Sequence, residues 1–182
     1  MNSITPIDSS ITSIVEEVKT FASKMKFNII CEFEVSANAN ESIPWDQIKF
    51  PGIYFIEIKN CNSFNDFKAW ASDFTEKWMD EKYLRKFVAN PKKGRINQHK
   101  ELSDWIPLYL GKSKNISKRV FEHVFLGLDK PTFALKLASR SNLNNHRFRL
   151  SCIEVRVENY DTIMPILEKS LRNRLNPIIG RQ

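Results

Sequence analysis

The sequence predicts an α+β fold: a small mixed or antiparallel three-stranded sheet flanked by helices. Three observations carry this. Short segments rich in β-formers recur at 29–35, 53–58 and 148–157. Longer segments with a 3.6-residue apolar period separate them. No internal repeat or low-complexity tract interrupts the pattern.

The elements follow in order. Ser9 or Ser10 is a candidate cap for a helix running to about Met25, with Ile11, Ile14, Val15, Val18, Phe21 and Ala22 on one face. In residues 29–35, Ile29, Cys31, Phe33 and Val35 alternate with Glu32 and Glu34, a strand signal. Residues 37–42 read as a loop, and 53–58 as a second strand ended by Asn60 and Asn62. Residues 64–89 read as one long helix with Phe67, Trp70, Ala71, Phe74 and Trp78 as its stripe, continued by Tyr83, Phe87 and Val88. Core packing is the expected role of these aromatics, and a dimer interface is the alternative. Residues 90–95 break that helix. Residues 106–110 form a short strand, with Pro107 marking an edge.

A helix is predicted over 116–126, capped by Ser113 or Asn115, with Ile116, Val120, Phe121, Val124 and Phe125 toward the core. Another is expected over 132–139, then a polar loop at 141–146. Residues 148–157 read as a strand whose parity changes near Cys152, which a bulge would explain. A last helix starts near Asp161 or Thr162, carries Pro165 in its first turn, and stops before Pro177.

The chain has 182 residues, enough for one domain with a core, and its 42% hydrophobic content argues against disorder. Net charge is +7. Residues 109–150 hold nine basic residues against two acidic ones, and residues 1–58 hold four against eight. A stretch so poor in acids predicts a polyanion-binding face, with a merely solvated face as the alternative. Cys31, Cys61 and Cys152 lack metal-ligand spacing and read as buried thiols in a reducing, cytoplasmic compartment. No signal segment and no membrane span are expected.

Two fragments carry most of the chemistry: Gly52-Ile53-Tyr54 and Tyr109-Leu110-Gly111-Lys112. The second runs on into Arg119 and His123, one helical turn apart and so on one face. Arg119 falls at the border between core stripe and solvent, where a guanidinium can take a phosphate bidentately. Cutting a phosphodiester needs a base for water, a cation for the phosphate and a Lewis acid for the leaving oxygen. Glu168, among Leu167 and Leu171, is either a buried partner for Arg119 or a metal ligand. One carboxylate with waters and phosphate oxygens suffices for Mg²⁺.

These fragments resemble the motifs of the GIY-YIG nuclease family. Gly52-Ile53-Tyr54 matches the first motif and Tyr109-Leu110-Gly111 the second, with Leu110 for the usual Ile. Gly111, Ser113, Asn115, Arg119 and His123 are spaced as in the family's first helix. Residues 167–171 and 175–177 resemble its metal-binding Glu and closing segment. The resemblance implies a single nuclease domain over 1–182, with an N-terminal helix-strand extension at 1–50 and a helical insertion at 60–105.

It also implies roles. Tyr54 activates or orients the attacking water, and Tyr109 binds phosphate or water. Arg119 stabilises the developing charge, and His123 moves a proton or orients a neighbour. Glu168 holds Mg²⁺ or Mn²⁺. Lys92, Lys93, Arg95, Lys112, Lys114 and Lys118 are the candidate DNA contacts. Two departures stand out. Fifty-four residues separate Tyr54 from Tyr109, where the family has about ten. Gly180 stands where the family often has Asn, twelve residues after the Glu, and Asn176 comes four earlier. The expected function is a DNA endonuclease of restriction type, with a second copy of the chain as a candidate partner in a homodimer. A structure-selective repair nuclease, a non-catalytic nucleic-acid-binding module, and a protein whose basic face binds another partner are the alternatives.

Overall fold

A computed structural model describes residues 4–35, 39–60, 63–144 and 146–180. The first element is helix α1 (Thr5–Lys24), which starts earlier than the serines suggested because Pro6 sits in its first turn. Strand β1 (Asn28–Glu34) follows, then the single turn α2 (Ala39–Ser42), a 3₁₀ turn at Trp45–Ile48 and strand β2 (Gly52–Lys59). Helix α3 (Phe67–Trp78), strand β3 (Asn90–Pro91) and the turn α4 (Lys93–Ile96) lie within the expected insertion. Strand β4 (Trp105–Ser113), helix α5 (Ile116–Phe125), strand β5 (Arg147–Glu154), helix α6 (Tyr160–Leu175) and strand β6 (Ile179–Gly180) complete the order. The expected loop at 37–42 is helical in its last four residues, and residues 37 and 38 lie outside the described residues.

The main sheet is antiparallel and has four strands, in the order β1-β5-β2-β4, rather than three. The extra strand comes from the N-terminal extension, where β1 pairs along β5. Both faces of the sheet are covered. Tyr54, Ile56, Phe148, Leu150 and Cys152 face one core with α3 and α5. Ile53, Phe55, Leu110, Ile153 and Val155 face the other, under α1 and α6. This removes the need for a bulge near Cys152. Strand β5 keeps unbroken register against β2, and its change of parity marks burial on both faces. The extra residue lies on the neighbouring strand, where register shifts between Ile29 and Cys31 and leaves Ile29 exposed. Beside Pro107, a second shift skips Leu108 on the edge strand β4.

The insertion leaves and returns at neighbouring strand ends: Lys59 pairs with Trp105, and Asn60 N–H donates to Asp104 at 2.8 Å. Asp66 caps α3 by accepting from Ala69 N–H at 2.8 Å. The aromatic stripe of α3 is buried in the first core, so it is not available as a dimer interface. The helix is shorter than the pattern predicts. It stops at Met79, and Asp80 turns the chain by accepting from the Lys82 and Tyr83 N–H groups. The end of the insertion closes on the C-terminus through β3 and β6, and Lys92 N–H donates to Ile178 at 2.8 Å.

Residues 132–139 are not a helix; only Leu137–Ser139 form a 3₁₀ turn. Lys136 takes the left-handed conformation (φ 57°), so its neighbours Leu135 and Leu137 both reach the core. Its ammonium donates to Lys130 and Leu128 carbonyls at 2.6 and 3.1 Å. Arg140 is buried 3.9 Å over the Trp78 ring and donates to the Trp78 carbonyl at 3.0 Å; burial pulls its pKa down to about 10. Pro165 lies in the second turn of α6 rather than the first, because the helix opens at Tyr160. Asn176, left-handed at φ 49°, ends it before Pro177. Cys152 is buried and Cys31 half-buried, burial pushing both thiols up, to about 12 and 11; Cys61 lies outside the described residues. Among the described residues no helix is long and apolar enough to cross a membrane.

Candidate active site

Tyr54 reaches the site because β2 is the strand between β4 and β5, and its position on the face of the first core points it at α5. Strand pairing sets Tyr54 directly opposite Gly111. The hydroxyl end of the tyrosine lies over the Gly111 Cα, and a Cβ built there would overlap the Tyr54 hydroxyl and ring. Only glycine allows this approach. Asn115 caps α5 by accepting from Lys118 N–H at 3.0 Å, so the helix starts where it must to aim Arg119 and His123 back at the sheet.

His123 is fully buried. Its Nδ1 lies 3.1 Å from the Leu135 backbone N–H, which can only donate. Nδ1 is therefore the acceptor, and the neutral ring carries its proton on Nε2. Nε2 is 2.8 Å from the Tyr54 hydroxyl oxygen, so histidine donates and Tyr54 accepts. Burial, reinforced by Arg119, holds the His123 pKa well below the ordinary histidine value. The rings of Tyr54 and Tyr109 stack at 6.2 Å, and Tyr109 lies 4.6 Å from the His123 ring. Burial raises the pKa of both tyrosines; Arg119, close to both hydroxyls, works in the other direction.

A neutral, buried His123 predicts a pH dependence of stability. Its folded pKa lies below the unfolded value, and burial lowers His146 likewise. The unfolded chain then binds more protons, so stability is full above about pH 6.5 and is lost as pH falls, by up to about 1.4 kcal/mol per pH unit per histidine. Chemical denaturation between pH 8 and 5 is expected to show this loss, and His123→Gln to remove part of it.

Arg119 donates to Glu122 at 2.5 Å and to the Phe133 carbonyl. Burial opposes its charge, but Tyr54, Glu122 and Tyr109 outweigh that and keep its pKa above the usual value. Glu168, on α6, faces the same space. Burial raises its pKa, while Arg172, 3.4 Å away, and Lys112 pull it down.

These groups surround one cavity of about 700 Å³, lined by Tyr54, Tyr109, Lys112, Arg119 and Glu168, with His123 behind Tyr54. Among the described residues, Arg95, Lys169 and Arg172 bring the basic side chains on its wall to five, against the single carboxylate of Glu168. Arg95 arrives from the insertion and is anchored on α6, donating to the Arg172 carbonyl and to Asn173 at 3.3 Å. Lys92 and Lys93 line an adjoining hollow that shares Arg95 and Asn173 with the cavity. Lys114 is not on the cavity wall; it lies 5.1 Å over the Tyr160 ring and 3.1 Å from Asp161. Lys118 points away, into a separate hollow beside Trp45 and Phe121.

Gly180 lines the cavity. Asn176 does not: it lines the adjoining hollow, and its carbonyl oxygen lies 2.8 Å from His99 Nε2. Phe121 is half-exposed against Trp45 rather than turned to the core. The sequence reading missed Arg172 as part of the site, although its place four residues after Glu168 on one helix was a usable signal. Asn173 had no such signal, since the loop that reaches it comes from the insertion.

The basic stretch 109–150 is not one face. Lys136 and Arg140 are buried, Arg149 pairs with Glu57 at 2.8 Å, and Arg147 with Glu34 at 3.4 Å. Lys112 and Arg119 of that stretch reach the cavity wall, where Arg95, Lys169 and Arg172 from other parts of the chain join them. No family model, no curated protein and no solved structure significantly matches this chain.

Proposed function

We propose that the protein is a divalent-metal-dependent endonuclease that hydrolyses phosphodiester bonds in DNA, acting at specific sites in the manner of a restriction enzyme. The observation that carries this reading is the cavity wall: the buried, histidine-anchored hydroxyl of Tyr54, the half-buried Tyr109, a guanidinium and one half-buried carboxylate around a space lined, among the described residues, by five cations. A polyanion is the ligand such a wall attracts.

The chain's residues divide the work. Arg95, Lys112 and Lys169 draw in the phosphates flanking the scissile one. Arg119 spreads its charge over the phosphate oxygens as negative charge builds there. Tyr54 keeps a fixed hydrogen bond from His123 Nε2–H, so its oxygen is held in one place and its own proton points elsewhere. That oxygen orients the attacking water; when ionised, it takes the water's proton, with His123 and Arg119 stabilising the anion. His123 is thus a positioning residue rather than a proton carrier. Tyr109 supplies a second hydroxyl to the phosphate or water.

A lone half-desolvated carboxylate suits Mg²⁺ or Mn²⁺, which keep waters and substrate phosphates as their other ligands. Glu168 is the residue that would hold the metal, and the ion would supply Lewis-acid stabilisation of the leaving oxygen.

The test is purified protein with mixed-sequence plasmid and Mg²⁺. Discrete fragments are expected, with Arg119→Ala reducing the cleavage rate by about 10²–10³-fold while DNA binding persists. Cutting confined to branched DNA would favour a repair nuclease. Two observations favour a non-catalytic binding module: Arg119 is already held by Glu122 and Phe133, and Gly180 offers the cavity no side chain. Salt-dependent binding without cleavage across several metals and substrates would establish that reading and overturn the nuclease.

A further inference from the structure

The turn that carries Arg95 to the cavity wall has a second surface. Lys92, Lys93, Arg95, Gln98, Asn173 and Asn176 line a hollow of about 550 Å³ next to the cavity. The two spaces share Arg95 and Asn173, so they meet at these side chains. Among the described residues no carboxylate lines the hollow. Its polar side chains are three cations and three neutral carboxamides.

The lysines here are left uncompensated. Lys19, Lys49, Lys77, Lys114 and Lys130 each face a carboxylate at 3.5 Å or less. Lys92 and Lys93 form no ion pair among the described residues. Their backbone is nevertheless fixed. Asn90 and Pro91 pair with Gly180 and Ile179, and Lys92 N–H donates to the Ile178 carbonyl at 2.8 Å. His99 lies 2.8 Å from the Asn176 carbonyl and stacks 4.9 Å from the Phe67 ring, which ties the turn to both α6 and α3. Cations on a fixed backbone lose less freedom on binding than cations on a loose loop. At Gly94 a Cβ would meet nothing within 4 Å, so the outer side of the turn is open.

Arg95 stands at the junction at a cost. Burial, and then the like charge of Arg172, pull its pKa down. An anion running from the cavity into the hollow offsets that repulsion. A nucleic-acid strand is such an anion, because it carries a phosphate at every step.

We propose that the hollow is a second phosphate-binding site, in which Lys92 and Lys93 hold the backbone of the DNA strand that leaves the cavity past Arg95. This rests on the reading of the cavity as a DNA site but not on its cutting. The site holds backbone rather than reading bases, and it requires a ligand long enough to engage both places at once.

The test is equilibrium binding of a fluorescent mixed-sequence duplex of about 20 base pairs, followed by anisotropy from about 50 to 300 mM NaCl without divalent cations. Lys92→Ala with Lys93→Ala is expected to lower the slope of log affinity against log salt by about 2, and to weaken low-salt binding about 10-fold or more. Lys93→Ala alone, at an exposed position, should lower the slope by about 1. Lys92→Arg with Lys93→Arg should keep it. Lys82→Ala with Lys86→Ala removes the same charge from exposed positions of the insertion that line neither space, and should also keep it. Inorganic phosphate, at equal phosphate concentration, should compete at least about 100-fold less well than unlabelled duplex, since it cannot engage both places. An unchanged slope in the Lys92 and Lys93 variants overturns the second site. So does an equal drop in the Lys82 and Lys86 variant, or competition by inorganic phosphate on a par with duplex. Those three results leave the nuclease reading standing. A wild type that shows the expected slopes but cuts nothing with any metal overturns the nuclease and keeps the second site. A wild type that does not bind duplex overturns both.

Discussion

Glu168→Gln is expected to end cleavage and, in the same protein, to raise the melting temperature. The carboxyl is mostly buried, and burial outweighs the attraction of Arg172 and Lys112, so its pKa is raised. The sign follows from linkage. A carboxyl whose folded pKa exceeds its unfolded value contributes stability that is complete at low pH and is lost as pH rises through the folded pKa. Above that point the charged form is a cost to the fold. Glutamine keeps the shape and has no charge to desolvate. The gain in melting temperature over wild type should therefore be larger at pH 8 than at pH 4, while the cleavage rate with Mg²⁺ falls roughly 10³-fold. A lowered melting temperature would mean that the carboxylate is chiefly a structural partner of Arg172. The combination of gain and loss marks a group held in an unfavourable setting for a ligand.

How much of this was legible in the sequence depended on whether an element announces itself locally. Helix α5 was legible because an Asn cap at Asn115 directly precedes a 3.6-residue apolar period that starts at Ile116. β2 was legible because a run of β-formers ended in Asn. Residues 132–139 misled because Phe133, Leu135 and Leu137 are compatible with either period over so short a span, and the left-handed turn at Lys136 has no sequence signature. The two-sided burial of β5 imitates a bulge in any one-dimensional pattern. In α1 the 3.6-residue period marks one apolar face, of which Val18, Ala22 and Met25 meet the second core while Ile4, Ile7, Ile11 and Ile14 are exposed, and a helical period cannot say where along a helix its neighbour begins.

The site divides along the same line. Tyr54, Tyr109, Arg119 and Glu168 were named from motif spacing, and they share one cavity. The role of His123 was not legible, because the proton's location is set by the Leu135 N–H, a contact made by a loop. The charge argument failed in detail for a physical reason. Net charge along a segment does not distinguish a buried Arg140 or a paired Arg149 from a cation facing a ligand. Arg172 comes from a segment of unremarkable net charge, and the fold sets it in the same cavity wall as Lys112.

Gly111→Ala is the second large effect expected. The added methyl group would occupy the space of the Tyr54 hydroxyl and press on the Tyr109 ring, against side chains fixed on all sides by β2, β4 and α5. Overpacking of this kind costs about 1–3 kcal/mol. The cost in activity is greater, because the displaced atom is the one His123 holds in place, and a loss of about 100-fold in cleavage rate is expected. Tyr54→Phe alone leaves His123 Nε2–H buried without its acceptor, at about 1–3 kcal/mol. In the double variant the closest clash disappears with the hydroxyl, so the two stability losses should fall short of additivity by roughly 0.5–3 kcal/mol while activity stays lost. Gly94→Ala is the control: a Cβ there meets nothing within 4 Å, and stability should be unchanged or slightly raised. Strict additivity between positions 54 and 111 would mean that the tyrosine is not seated on the glycine, and the assignment of Tyr54 as the positioned oxygen would fall with it.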